Sequence, residues 1–358
     1  MKTFKRILLI TNIVIVAMLI ACYFSVYISP SKTLAVALLP FIYSGLLIAN
    51  ALFVVLWLFI NWKYSLISAL SIVIGIKFLG LIYPVLSLFA GSDTGDLKIM
   101  TYNVRVFGLY DWQNNTRIKA DIIKLIEEEN PDIICLQEVY WNGSDRSFIT
   151  LDSIKIVLDA DYDFRFATSH TVGGQNYGLA TISRYQILNS FSLKFDDSRN
   201  GFIYNDILIN EDTVRIYNCH LQSILLNQND YTVIEDIAEA EENVKMKIVL
   251  KKYLKSLIKR STQADIVRAS IDSCTYPVFV CGDFNDGPLT YTYFTVSKGL
   301  RDSFSKRGKF PGYTWDNFGI KQRIDYILYD KQFKCKSHKI IQEYLSDHFP
   351  VVAEFDKK

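Results

Sequence analysis

Val278-Phe-Val-Cys-Gly-Asp-Phe-Asn285 is a short apolar run that stops on a carboxylate and an amide. Its apolar residues predict a buried strand over 277–281, with the polar residues beyond it held at the rim of a packed scaffold. The same construction recurs on both sides. A strand predicted over 97–106 contains Asn103, a strand over 133–136 leads to Glu138, and one over 214–219 leads to His220. A strand over 323–328 carries Asp325, and Ser346-Asp347-His348 precedes a strand over 351–355. Further strands are predicted over 164–167, 178–183 and 202–209, and residues 117–129 place Ile118, Ile122, Leu125 and Ile126 at helical spacing. This many strands with helices between them describes an α/β domain, a two-layered sheet system covered by helices.

Upstream, the composition changes. Of 37 acidic residues none lies in residues 1–91, which carry six bases: Lys2, Lys5, Arg6, Lys32, Lys63 and Lys77. The overall charge of +2 therefore divides into +6 before residue 92 and −4 after it. Three apolar runs, 7–28, 34–60 and 64–90, each reach the roughly 20 residues needed to cross a bilayer. Three helices apolar all round have no polar face to show to water, so a membrane anchor is expected over 1–91. A polar linker over 92–96 and the α/β domain over 97–358 complete the division. Lys77 lies within the third run, where it either snorkels or faces the other two helices.

Leu19-Ile-Ala-Cys22 resembles a lipoprotein cleavage box, but two more apolar runs follow it, and an uncleaved first helix is expected. Lys2, Lys5 and Arg6 place the N-terminus in the cytoplasm, and three crossings put the domain outside it, as in a bacterial inner-membrane protein. Cys135, Cys219 and Cys281 in strand-like runs read as buried thiols and pull the other way.

Residues 231–260 begin acidic and end basic, the order that complements a helix dipole, and a long helix or helix pair is expected there. The alternative use of its lysines is contact with anionic lipid headgroups.

Taken together, the strand-end residues supply carboxylates, two amides and two imidazoles. There is no Walker loop, nucleophile elbow, dinucleotide fingerprint or Cys-x-x-Cys pair beside them. Hard oxygen donors suit Mg²⁺ or Mn²⁺ better than zinc, and such an ion with carboxylates points to attack on phosphorus.

The motifs Thr101-Tyr-Asn-Val, Leu136-Gln-Glu, Asn218-Cys-His-Leu, Gly282-Asp-Phe-Asn, Arg323-Ile-Asp-Tyr-Ile and Ser346-Asp-His-Phe-Pro-Val, in that order, resemble those of the endonuclease/exonuclease/phosphatase superfamily. The resemblance spans about 97–356 and leaves the apolar segment out. It implies a four-layer α/β/β/α sandwich of two facing mixed sheets, with the active site at one sheet edge. It also implies Glu138 as principal metal ligand, with Asn103 beside it and Asp347 as a further ligand. Asp283 would activate water, Asn285 would hold the phosphate, and His220 and His348 would donate to its oxygens as two imidazolium groups. Asp325 would pair with His348. For a further substrate contact the resemblance offers Asn176 or Tyr177.

The expected activity is that of a membrane-anchored, Mg²⁺- or Mn²⁺-dependent phosphoric ester hydrolase. Its substrate would be a phospholipid headgroup, a nucleic acid or an inositol phosphate. A net −4 domain is poorly suited to a duplex unless its bases cluster. A membrane-tethered nuclease on DNA or RNA is the alternative. A silent binding domain would have lost part of the polar set, and none of it is lost.

Overall fold

A computed structural model describes residues 2–84, 87, 91, 93–109, 115–142, 150–170, 174–224, 242–317 and 320–358. The helices are α1 (Lys2–Ser25), α2 (Leu34–Ala37), α3 (Tyr43–Ile60), α4 (Trp62–Ile74), α5 (Ile76–Ile82), α6 (Asn115–Glu129), α7 (Thr150–Val157), α8 (Glu242–Asp272), α9 (Tyr291–Val296) and α10 (Ser303–Arg307). The strands are β1 (Leu97–Asn103), β2 (Ile133–Asn142), β3 (Tyr162–His170), β4 (Gln175–Ser183), β5 (Ile187–Lys194), β6 (Gly201–Ile209), β7 (Asp212–His220), β8 (Val278–Asp283), β9 (Arg301–Asp302), β10 (Trp315–Asn317), β11 (Ile320–Gln322), β12 (Asp325–Tyr329), β13 (Phe333–Ile340) and β14 (Val351–Lys357).

Side chains alternate across a strand, and here each strand serves two cores. In β8, Phe279 and Cys281 join Ile99, Ile133, Cys135, Ile216 and Ile327 in a layer between two sheets, while Val278 and Val280 turn the other way. In β1, Ile99 faces that middle layer, and Met100 and Tyr102 face a second core with Ile122, Leu125 and Ile126 of α6. The result is α6 and α7, a sheet ordered β13-β14-β1-β2-β4-β3, a sheet ordered β5-β6-β7-β8-β12-β9, and α8 with α9. Each sheet is mixed, with one parallel pair: β1 with β2, and β7 with β8. This is the four-layer α/β/β/α sandwich.

Two of the longer strands lie outside the expected set. In β5 and β13 polar residues alternate with apolar ones, as in Phe333-Lys-Cys-Lys-Ser-His-Lys-Ile340, and both lie at sheet edges where one face meets solvent. The strand expected over 97–106 ends at Asn103, where its side chain accepts the Arg105 N–H at 3.1 Å. Arg105, Val106 and Phe107 follow with φ of 42°, 51° and 55°, a left-handed turn. The expected long helix is α8; residues 231–241 of the predicted segment lie outside the described residues, and the helix runs on past Arg260 to Asp272.

The N-terminal segment holds two stretches long and apolar enough to cross a membrane, α1 and Leu34–Ile60, or three if α4 and α5 form one broken span. The end of the third apolar run, at 85, 86 and 88–90, lies outside the described residues. A buried polar chain ties the three helices together: Trp57 Nε1 donates to Asn12 Oδ1 at 2.9 Å, and Asn12 Nδ2 donates to Ser68 Oγ at 2.6 Å. α4 and α5 are bent by 59°, and Lys77 sits just after the bend with its Nζ 5.4 Å from the Phe294 ring centroid. It therefore faces the α/β domain instead of the helices.

The segment is not a loose tether. Leu19, Cys22, Tyr23, Tyr43, Leu46, Phe78 and Leu81 share one buried cluster with Phe284, Leu289, Tyr293, Val296 and Tyr326 on the outer side of the second sheet. Phe78 stacks on Phe294 at 5.5 Å, and Arg323 Nη2 donates to the Leu81 carbonyl at 2.8 Å.

Candidate active site

Strands β1, β7 and β8 end at the same edge of the sandwich, where β2 runs on past Glu138 to Asn142, and this gathers Asn103, Glu138, His220 and Asp283. Antiparallel β12 starts there with Asp325 opposite Asp283, and His348 sits just before β14. Residues 180 apart in the chain are thus brought within hydrogen-bond reach: Asn103 Nδ2 donates to Asp283 Oδ2 at 3.1 Å and to Glu138 Oε1 at 3.2 Å.

Local backbone makes this convergence possible. A bulge between Leu136 and Val139 puts one extra residue in β2, so that Gln137 and Glu138 stand against Leu179 alone, and Glu138 adopts φ 51°, so its carboxylate turns out of the ladder toward Asn103. Gly282 has φ 128°, and a Cβ there would meet the Cys219 carbonyl oxygen at 2.0 Å, so only glycine lets β8 lie this close to β7. Asn285, at φ 52°, bends back so that its N–H donates to Asp283 Oδ1 at 2.8 Å and its Nδ2 to Oδ2 at 3.0 Å. Left-handed φ at two non-glycine residues of one site is strain that the surrounding fold must hold.

Two imidazoles flank Asp283. His220 Nε2 and His348 Nε2 each lie 3.7 Å from Asp283 Oδ2, and His220 Nε2 lies 3.6 Å from Glu138 Oε1. On its far side His348 Nδ1 meets Asp325 Oδ2 at 3.0 Å. Although burial works against the charged ring, Asp325 and Asp283 push His348 up to about 10. Burial drives His220 the other way, below its ordinary value, outweighing Asp283. The two imidazoles are thus pushed in opposite directions by their surroundings. Burial raises Asp283 to about 6 against the pull of His348, and it raises Glu138 as well.

Asp347 lies on the outer side, its Oδ1 3.8 Å from Arg105 Nε, with Ser346 Oγ donating to the Asn103 carbonyl at 3.0 Å. A cleft of about 540 Å³ opens here, lined by Arg105, Asp316, Asn317, Tyr344, Ser346 and Asp347. Asn176 and Tyr177 sit on β4 opposite Trp141 and Tyr140, beyond Glu138 along β2. Asn176 Oδ1 meets His170 Nδ1 at 2.6 Å, and the Tyr177 ring packs on Tyr140 at 5.1 Å.

Residues absent from the sequence reading complete the frame. Arg105 follows the Thr-Tyr-Asn-Val motif directly, but only its left-handed backbone brings it to Asp347. Gln137 and Asn218 are fully buried and bridge the two sheets, Nε2 to Oδ1 at 2.8 Å, immediately behind Glu138 and close to His220. Both lie inside quoted motifs, so the signal was present as a polar residue in an apolar strand.

Among the described residues, Asp283, Asp325 and His348 have ligand atoms within 4.8 Å of one another and form a group that could hold a metal ion; the expected ligands Glu138, Asn103 and Asp347 are not members of that group, and Asn103 links Glu138 to Asp283. Among the described residues the buried Nε2 of His220 has no hydrogen-bond partner, and it faces the carboxylates of Glu138 and Asp283.

A model of the endonuclease/exonuclease/phosphatase family matches residues 100–348. The chain belongs to that family. The match covers the strand ends that carry the site, from β1 to His348. A second family model, described as a domain of unknown function, matches residues 5–82. No curated protein matches the chain. Among solved structures, the catalytic domain of human nocturnin with a bound sulfate is 19% identical, over 75% of this chain and 97% of its own, with a TM-score of 0.52. D. rerio TDP2, humanized by 14 mutations, is 18% identical over 72% and 98%, also at 0.52. A mannosyl-6-phosphatase from Bacteroides thetaiotaomicron is 17% identical over 73% and 99%, at 0.51. At these identities the structures establish the endonuclease/exonuclease/phosphatase fold alone. Family membership makes the chain a phosphoric ester hydrolase by class.

Proposed function

We propose that the chain is a membrane-anchored, divalent-metal-dependent hydrolase that cleaves a phosphate ester by attack of water. The observation that carries this reading is the convergence of Asn103, Glu138, His220, Asp283, Asp325 and His348 on one sheet edge. Glu138, Asn103 and Asp347 would hold Mg²⁺ or Mn²⁺, which when bound would supply Lewis-acid polarisation of a phosphoryl oxygen. Asp283, raised to about 6, takes the proton of the attacking water near neutral pH, oriented by Asn103 and Asn285. His348 donates as a cation, and His220 as a neutral N–H, to the non-bridging oxygens as negative charge develops. Asn285 and either Asn176 or Tyr177 add substrate contacts, and Arg105 meets the substrate in the outer cleft.

Residues 1–91 are the anchor, 92–96 the linker and 97–358 the catalytic domain. In favour of three crossings, Tyr23, Tyr43 and Leu81, near one end of each span, are the residues buried with the domain. Lys2, Lys5, Arg6 and Lys63 lie near the opposite end, a bias that favours a cytoplasmic N-terminus and an extracytoplasmic domain. Close docking of the anchor favours a substrate at the bilayer, a phospholipid headgroup before a nucleic acid or inositol phosphate.

The test is a side-by-side assay of the full chain in detergent on bis-p-nitrophenyl phosphate, phospholipids, single-stranded DNA, RNA and phosphomonoesters. Hydrolysis that needs Mg²⁺ or Mn²⁺ supports the reading, and hydrolysis undiminished in excess EDTA contradicts it. A reporter fused after Lys358, active only on one side of the membrane, tests the topology.

A further inference from the structure

We propose that the lysine face of α8 binds anionic phospholipid headgroups and lays the catalytic domain down on the bilayer beside its anchor. The proposal rests on the membrane-anchor reading above and adds a second membrane contact to it.

Position comes first. The Tyr253 ring of α8 meets Phe41 edge-on at 5.5 Å, in the turn that leads into α3. Twelve residues further on, Asp265 accepts from the Tyr291 hydroxyl at 2.7 Å, and the same short helix α9 sets Phe294 against Tyr27 at 5.5 Å and against Phe78 at 5.5 Å. Between these points α8 travels about 18 Å along the end of the helical bundle that faces the domain. If the bundle spans a bilayer, this end is the membrane surface.

Charge is the second observation. Residues 243–264 contain seven bases and no acid, inside a domain of net −4. Arg260 is used internally, pairing with Asp286 at 3.4 Å, and so is Lys259, which donates to the Asp197 carbonyl at 2.6 Å. Lys247, Lys251 and Lys255, four residues apart on one face, are exposed, and among the described residues none of them forms an ion pair. Leu250 and Ile258, 44% and 37% exposed, sit among them. Exposed lysines interleaved with exposed aliphatic side chains, next to a membrane anchor, match the surface of an anionic bilayer in charge and in polarity.

The full chain is reconstituted into phosphatidylcholine vesicles with or without about 30 mol % phosphatidylglycerol. It is then treated with a membrane-impermeant lysine-acetylating reagent, and modification is read by mass spectrometry relative to Lys124 and Lys334, which are exposed elsewhere. The expected result is labelling of Lys247, Lys251 and Lys255 slowed about fivefold in anionic vesicles, with the protection lost at about 0.5 M salt. Equal labelling in both vesicle types, with the chain still resisting alkaline carbonate extraction, overturns the proposal and leaves the anchor standing. Extraction by carbonate overturns both. Protection by added DNA in neutral vesicles, and none by phosphatidylglycerol, assigns the face to nucleic acid and overturns the proposal.

Discussion

Asp325 Oδ2 lies 3.0 Å from His348 Nδ1, and both side chains are buried, so the carboxylate holds the ring in one orientation and holds it charged. The Nε2 of the same ring is aimed at Asp283, 3.7 Å away. Replacing Asp325 with asparagine keeps the shape and removes the charge. The expected outcome is a fall in kcat on bis-p-nitrophenyl phosphate of about 10²–10⁴-fold, with little change in folding. The loss is expected to be smaller at lower pH, where His348 is protonated without help. A variant within threefold of the parent would remove Asp325 from the site.

Gly282→Ala tests how β8 approaches β7. The new Cβ would meet the Cys219 carbonyl oxygen at 2.0 Å, on backbone with φ 128°. Since His220 and Asp283 each adjoin that contact, the variant is expected to lose stability by more than about 2 kcal/mol and to lose activity with it. Urea denaturation in detergent measures the first, and an unchanged midpoint would show that the strands can separate at no cost.

The sandwich was legible because its central strands are continuous apolar runs ending on polar residues, and β8 and β7 show this most plainly. Edge strands β5 and β13 were not, since half their residues face solvent and no apolar run marks them. The motifs located Asn103, His220, Asp283 and Asp325, which stand at strand ends, Glu138, which the bulge inside β2 turns out, and His348 just before β14. Arg105 escaped because backbone conformation, which residue type does not reveal for Arg-Val-Phe, brings it to Asp347. Docking of the apolar helices on the second sheet also escaped, because a lipid-facing residue and a domain-facing residue in such a helix are both apolar. Lys77, the exception in composition, proves to mark the turn toward the domain.

Arg323 joins that docking face to the site. Its Nη1 pairs with Asp302 at 2.8 Å and its Nη2 caps the Leu81 carbonyl, two residues before Asp325. Arg323→Met leaves Asp302 buried without its cation, and a loss of about 3–5 kcal/mol is expected. The double variant Arg323→Met/Asp302→Leu is expected to recover much of it. Equal instability of the single and double variants would assign the loss to the Leu81 contact instead.

His338 gives a pH signature outside the site. Its Nδ1 meets Ser303 Oγ at 2.9 Å, its buried Nε2 has no partner among the described residues, and burial lowers it from 6.5 to about 4. The unfolded chain therefore binds this proton more readily than the folded one. The contribution is fully present above pH 6.5 and is lost as pH falls toward 4, by up to about 1 kcal/mol per unit. Urea midpoints of the parent and His338→Gln, compared at pH 7 and pH 5, should show the parent losing more. Parallel loss in both would exclude His338 as the cause.

The most direct test of the central claim separates metal binding from water activation in one pair of variants. Mn²⁺ binding to the full chain in detergent is measured by calorimetry beside hydrolysis of bis-p-nitrophenyl phosphate, for the parent, Glu138→Ala and Asp283→Ala. The expected result is that Glu138→Ala loses both binding and hydrolysis, while Asp283→Ala loses hydrolysis and still binds Mn²⁺. Undiminished Mn²⁺ binding in Glu138→Ala, or hydrolysis surviving in both variants, would contradict the account.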